Sequence, residues 1–428
     1  MRRYVTFLQS LLQTNLQVGV ETSDFLYAIH DALDLYESSR QYIDAVGRIG
    51  ETYRTQVYAG LSGKQTTVSC SEVQSFLSVA LNRIDQSIRA NRREDGLYEA
   101  YNLIRITETD HDIEISHLYE MLEGQVAVLS SGLLSAHESA DLLDALRQSA
   151  LYREDQHSYM LYPNRRRPSF LELNNLPKES ITIPVVKRLL AEKDGAILMQ
   201  DCDGGIHFHA SFNNVSFLEK AIDTSPHRIS KEEKQILIDL YERVFNHHAF
   251  TGRSGTFYKY EGLGCIYWHM VSKLLVAVGE TINRAQSDKE QCTKEATLQH
   301  LYRQYNAIRE GLGSHKQPAE YGSFPFDPYS HTPMMTGVRQ PGMTGQVKED
   351  ILNRFFELGV SVRNGQISFF PTMLQDKDFV NGELRFSYCG TEVIYRKGHS
   401  VKGLTLSQEQ SAHIFSRDGK IQQIVIEV

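Results

Sequence analysis

Two carboxylates stand where acid chemistry would suit them. Glu261 lies in the run Tyr258-Lys259-Tyr260-Glu261-Gly262-Leu263-Gly264, whose glycines let the backbone come close to whatever the carboxylate faces. Tyr260 and Tyr267 offer ring faces of the kind that take the apolar side of a sugar. The plainer account of Glu261 is a cap on the apolar helix that follows, favourable at the positive end of the helix dipole. Asp327 sits in Phe324-Pro325-Phe326-Asp327-Pro328-Tyr329. Prolines on both sides stiffen the backbone and hold the carboxylate in place, as preorganised catalysis requires. Its plainer account is an Asx turn, with the side chain bonded to its own backbone.

Around Asp327 the segment Tyr321–Gln346 gathers hydrogen-bond donors: His331, Thr332, Arg339 and Gln340, then Gly342, Thr344 and Gly345 at the mouth of a helix. Free N–H groups at a helix start suit an anion, although this spacing matches no fixed phosphate fingerprint. Loops longer than about 12–15 residues are uncommon in compact domains and tend to be functional or disordered; this one is too aromatic for disorder. Arg253 in Gly252-Arg253-Ser254-Gly255 reads as a second anion or sugar clamp, or as a surface turn.

Other polar groups are less specific. His207 and His209 alternate along a strand and so share a face, but no third ligand accompanies them and no metal is expected. Asp155, Gln156, His157, Tyr159 and Tyr162 form a second polar-aromatic cluster. Arg165-Arg166-Arg167 is a solvated turn or an anion clamp, and His247-His248 suits a helix C-terminus. The chain carries no Walker loop, GxGxxG or nucleophile elbow, which excludes P-loop, dinucleotide and serine-hydrolase chemistry.

The elements that must position these residues are mostly helical. Phe25, Leu26, Ile29, Leu33 and Tyr36 recur at helical spacing, with Thr22 or Ser23 as N-cap and Gly47 as stop. A second stripe runs through Phe76, Val79, Ala80, Ile84 and Ile88, and capping boxes pair Ser135 with Glu138 and Ser230 with Glu233. The run GCIYWHMVSKLLVAVGETI is apolar nearly all round and predicts a buried helix. GAILMQDCDGGIHFHASF predicts a hairpin turning at Asp203-Gly204-Gly205. GQVKEDILNRFFELG predicts an amphipathic helix stopping at Gly359. Beyond it lie short β-type runs, HIFSRDGK among them.

At 428 residues and 41% hydrophobic, the chain can bury one large core or two ordinary ones. A net charge of −8 with interspersed signs argues against nucleic-acid binding. The 5 cysteines form no CxxC pair, so reduced and mostly buried thiols are expected. No apolar run reaches the roughly 18 residues of a membrane span. The N-terminal stretch reads as an amphipathic helix rather than a signal peptide, and a cytoplasmic location is expected.

Two stretches, GRSGTFYKYEGLGCIYWHMVSKLLVAVGE and AEYGSFPFDPYSHTPMMTGVRQPGMTGQVKEDILNRFFELGVSVRNGQISFFP, carry a resemblance over residues 252–371. They resemble the C-terminal part of large bacterial cellobiose-phosphorylase-like proteins and, more loosely, the end of (α/α)6 six-hairpin glycosidases. The resemblance implies a mainly α fold: an (α/α)6-type helical toroid over residues 1–358, with a β-hairpin insert at about 195–213, and a C-terminal β-domain over 359–428. It implies an enzyme cleaving β-linked oligosaccharides by hydrolysis or phosphorolysis. Glu261 and Asp327 would be the acids, with Tyr260, Trp268, Arg253, His331, Arg339, Gln340 and Thr344 binding sugar or phosphate. The Trp-Asn-Asp setting of the general acid in cellobiose-type phosphorylases is absent, since Trp268 is the only tryptophan. That departure leaves open a non-catalytic glycan-binding or scaffold module within a larger protein. A lyase using Tyr329, His331 and Arg339 is a third class. The expected partners are an oligosaccharide, and further domains of a larger polypeptide or a second copy, with neither nucleic acid nor membrane. No cofactor is expected, and inorganic phosphate would serve as co-substrate.

Overall fold

Helix starts in this chain are set by one recurring device. Ser69, Ser135, Ser169 and Ser230 each accept from the N–H of a glutamate three residues on (Glu72, Glu138, Glu172, Glu233), whose carboxylate accepts from the serine N–H in return. The computed structural model describes residues 1–35, 39–106, 113–163, 168–193, 195–246, 266–287, 295–312, 331–332, 346–398 and 403–428. They form a mainly α fold with small separate sheets and a C-terminal β region. By internal contacts the chain divides into two compact units, Met1–Asn164 with Glu261–Val428, and Arg165–Tyr260. The second unit is an insertion in the sequence of the first, a division that the expected boundary at 358/359 did not anticipate.

The first unit opens with the helix Arg2–Leu11. A two-stranded antiparallel ribbon, Leu16–Gly19 with Gln65–Val68, brackets two helices in sequence. The first of these, Val20–Leu35, starts ahead of the expected caps at Thr22 or Ser23. Gly47 terminates nothing. It lies inside the second helix, Ser39–Ala59, because one glycine weakens a helix interior by only about 1 kcal/mol, which its neighbours override.

The predicted buried helix is Trp268–Ser287. Trp268, Val271, Leu274, Ala277 and Val278 are wholly enclosed, and the helix packs on Leu122–Ser131, Glu295–Glu310 and Gln346–Glu357. That packing accounts for its enclosed apolar positions, while a half-buried stripe carries His269, Lys273, Glu280 and Asn283. At Gly279 the approach is closest, since a Cβ there would meet the Phe356 ring at 2.5 Å.

After Gln346–Glu357 the chain turns at Gly359, whose φ of +63° favours glycine. Two three-stranded sheets follow. One orders Val360–Arg363, Gln366–Phe369 and Leu404–Thr405; the other orders Glu383–Tyr388, Thr391–Arg396 and Gln423–Glu427. The last pair is parallel, a pairing that needs a crossover connection. The helix Gln408–Ser416 lies in that crossover, capped by Ser407 with Gln410. The first half of the run HIFSRDGK, expected as strand, belongs to this helix, which the Ser407 box starts despite the β-type composition. The Tyr395 hydroxyl donates to the Leu358 carbonyl and ties the sheet to the preceding helix end.

The second unit has its own core, built from Val185, Val186, Leu189, Phe208, Leu218, Leu237 and Tyr241 among others. The hairpin is as expected, Leu198–Gln200 against Ile206–Phe208, turning through Gly204 at φ +84°. Buried Asn174 acts as a surrogate strand: its amide donates to the Phe208 carbonyl at 2.8 Å and accepts from the Phe208 N–H at 3.0 Å. Cys202 at the hairpin tip is exposed, unlike the buried thiol expected. Among the described residues no helix is long and apolar enough to cross a membrane.

Candidate functional site

The described residues nearest in sequence to the two predicted acids meet at one place in the first unit. Strand Ile266–Tyr267 pairs antiparallel with His331–Thr332, which sets the His331 backbone opposite Tyr267. The helix Trp268–Ser287 starts at the next residue and carries His269 in its first turn. Glu349 stands in the first turn of Gln346–Glu357, the helix that follows the polar-aromatic loop.

These elements join in a hydrogen-bonded row. His269 Nε2 lies 3.2 Å from Glu349 Oε1, and His269 Nδ1 lies 3.3 Å from the Tyr267 hydroxyl. A carboxylate only accepts, so Nε2 carries the proton donated to Glu349. The Glu349 side chain is 6% exposed and that of His269 14%. Lys348 Nζ, well exposed, stands 3.9 Å from the same Glu349 oxygen.

Beside the row lies a set of buried polar atoms that have no hydrogen-bond partner among the described residues: Glu349 Oε2, both amide atoms of Asn353, and Ser272 Oγ. Asn353 is one turn beyond Glu349, and Ser272 one turn beyond His269. Further along, Glu357 accepts from Tyr305 and pairs with Arg309 at 3.0 Å and Arg354 at 2.8 Å. Burial, followed by the nearby Glu357 charge, pushes the Tyr305 phenol far above its ordinary value. Helix Gln346–Glu357 thus turns a polar face inward through Glu349, Asn353 and Glu357, while Val347, Ile351 and Leu352 are exposed.

Of the residues expected to do chemistry, Glu261, Asp327, Tyr260, Arg253, Arg339, Gln340 and Thr344 lie outside the described residues, and His331 is described in its backbone alone. Trp268 is 0% exposed; its ring is packed in the core and presents no face to a sugar. The second cluster is structural in large part. Arg153 holds the Asp155 carboxylate through two hydrogen bonds of 2.8 and 2.9 Å, a bidentate geometry. Tyr159 and Tyr162 are buried, and burial lifts the Tyr159 phenol to about 12. Its strand, Ser158–Tyr159, touches Ile266–Tyr267.

In the second unit both His207 nitrogens are committed, Nδ1 to the Asn174 carbonyl and Nε2 to Asp201 at 2.8 Å. His209 Nδ1 faces Ser211 instead. Among the described residues no three His, Cys, Asp or Glu side chains gather as for a metal.

His269 and Glu349 were missed in the sequence. The available signal was a histidine in the first turn of an otherwise apolar helix. Glu349 gave none, since an acid in a first turn reads as an exposed partner of the helix dipole. Two clefts of the first unit, about 670 and 710 Å³, do not include the row. The larger is lined by Asn283, Gln299, Tyr302, Phe355 and Phe356, toward the other end of the same helices.

Residues 167–248 match the family model of GH149 phosphorylase insertion domain 2. The matched stretch falls inside the inserted unit Arg165–Tyr260. It relates the chain to GH149-type glycoside phosphorylases, rather than specifically to the cellobiose-phosphorylase-like proteins that residues 252–371 resemble. A comparison with curated proteins gave no match.

Proposed function

We propose that this chain works in the phosphorolysis of β-linked oligosaccharides. The observation that carries this reading is the match of residues 167–248 to an insertion domain of a glycoside phosphorylase family. In the reaction, a phosphate oxygen bonds to the anomeric carbon as the glycosidic C–O bond breaks, and a carboxylic acid protonates the departing sugar oxygen. The products are a sugar 1-phosphate and a shortened saccharide. Glu261 and Asp327 are the acids assigned to that proton. Arg253, Arg339, Gln340, Thr344 and His331 are assigned to phosphate and sugar hydroxyls, and Tyr260 to a sugar face. His269 joins this set, because it adjoins the strand that pairs with His331.

The test is a proton and phosphorus NMR time course with a pooled panel of β-linked disaccharides and oligosaccharides, with and without phosphate. A sugar 1-phosphate signal that requires phosphate supports phosphorolysis, whereas new reducing ends in both samples would mean hydrolysis. Glu261→Gln and Asp327→Asn variants that stay folded and keep the parent rate would remove these two from the assignment. The missing Trp-Asn-Asp setting favours a second reading, a glycan-binding or scaffold module. Broadened saccharide signals without turnover would select it.

A further inference from the structure

We infer that Glu349 is a positioning residue, which fixes the tautomer and the ring orientation of His269 and through it the direction of the Tyr267 hydroxyl; the functional part of this inference rests on the phosphorolysis reading. His269 has two ring nitrogens, and each faces a different kind of group. Glu349 Oε1, at 3.2 Å from Nε2, can only accept. The proton of a neutral ring must therefore sit on Nε2, and Nδ1 becomes an acceptor. The Tyr267 hydroxyl, 3.3 Å from Nδ1, then donates to the ring and leaves its oxygen lone pairs pointing away from it. The other tautomer would put an N–H against Tyr267 and a lone pair against a carboxylate, and a ring flip would put ring C–H groups at both positions. The edge-on contact of the two rings, 5.7 Å between centroids at 89°, also fixes their mutual orientation.

A purely structural role accounts poorly for the row. Ion pairs and hydrogen bonds inside a protein are often replaced by apolar packing at little cost or with a gain. Here the chain keeps Glu349 and Asn353 at 4% and 3% exposure. Among the described residues, Glu349 Oε2, Asn353 Oδ1 and Nδ2, and Ser272 Oγ find no hydrogen-bond partner, an arrangement that is costly for buried groups that stay unpaired. Helix Gln346–Glu357 meanwhile exposes Ile351 and Val347, which would fill such a seam. A seam kept polar at that cost, at the start of the helix that follows the donor-rich loop, is explained by what it holds in place.

The decisive measurement is nitrogen-15 NMR of histidine-labelled protein, taken where the ring-nitrogen shifts show a neutral imidazole, with the His269 signals identified by their loss in His269→Gln. The expected result is the Nε2–H tautomer in the parent and in Glu349→Gln, whose side-chain oxygen still accepts, and loss of that preference in Glu349→Leu. Paired with it, the KM for inorganic phosphate in Glu349→Leu is expected to rise on the order of tenfold, because small misplacements of binding groups have large effects, with Glu349→Gln near the parent. An Nδ1–H tautomer in the parent overturns the inference even where Glu349→Leu does not fold. An unchanged tautomer in folded Glu349→Leu also overturns it. Absence of any phosphate dependence in the parent defeats the phosphorolysis reading instead, and leaves the tautomer result to decide the positioning role.

Discussion

Two histidines of this chain differ in what their nitrogens face, and that difference decides what each one does. His207 stands between the Asn174 carbonyl and the Asp201 carboxylate, both acceptors only, so both of its nitrogens must donate. Its pKa is raised, first by the Asn174 carbonyl and then by Asp201. A raised folded value means the stabilisation is complete below the ordinary pKa near 6.5 and is lost as the pH climbs through the folded value. Urea unfolding of the parent and of His207→Gln is therefore expected to show a clear gap at pH 5.5 that narrows by pH 9. A gap that widened with pH would contradict the assignment. His269 faces one acceptor and one hydroxyl, an arrangement that fixes a tautomer. In the sequence both residues are a histidine beside an apolar run. The alternation that marked His207 and His209 gave their spacing but not their partners, because Asn174 comes from outside the hairpin and Asp201 from across its turn.

At the scale of elements, the helix Gln346–Glu357 is where local pattern and packing part company. Its length and its stop at Gly359 were legible, since leucine and phenylalanine recur at helical spacing and a glycine follows. Which face turns inward was not, because the partners that make a polar interior tolerable, Arg309, Tyr305 and His269, lie on other helices. Glu357 is the strongest of these links, with guanidinium groups on two sides. Glu357→Leu is expected to lower unfolding free energy by about 3 kcal/mol, the range for removing one partner of a buried pair, as read from the urea midpoint. The glycines allow a sharper contrast. A Cβ on Gly359 would fall 2.0 Å from the Phe370 carbonyl oxygen, at a φ of +63°. A Cβ on Gly47 would meet nothing within 4 Å. Gly359→Ala should therefore disrupt the packing of the terminal sheets, whereas Gly47→Ala should raise stability by about 0.5–1 kcal/mol. Melting curves of the two variants moving in the same direction would refute this pairing.

At the scale of the whole molecule, the sequence carried the mainly α class and the β character of the last 70 or so residues, because both rest on periodicity. It did not carry the division into units. The Arg165-Arg166-Arg167 triplet and the glycines near 252–264 stand close to the two junctions, but they read as turns or clamps rather than as the edges of a unit, and the hairpin expected as a small insert of 195–213 is one part of a much larger inserted unit. What defines that unit is closure of its core. Val185, Val186, Leu189, Ile197, Phe208, Leu218, Leu237 and Tyr241 pack on one another, and the backbone ends at Phe208 and Leu176 are met by Asn174 and Ile206 within the same stretch. A core closed in this way should not need the rest of the chain to fold. Residues 165–260 expressed alone are expected to unfold in one cooperative urea transition. Leu237, fully buried, supplies the stricter check: Leu237→Ala should cost about 2–5 kcal/mol, as large-to-small core changes do. If the unit is autonomous, the same cost appears in the excised piece and in the transition of that unit within the full chain, since distant independent sites add. A much smaller loss in the full chain would mean that the first unit shares in holding this core, and the inserted stretch would then be a subdomain rather than a domain.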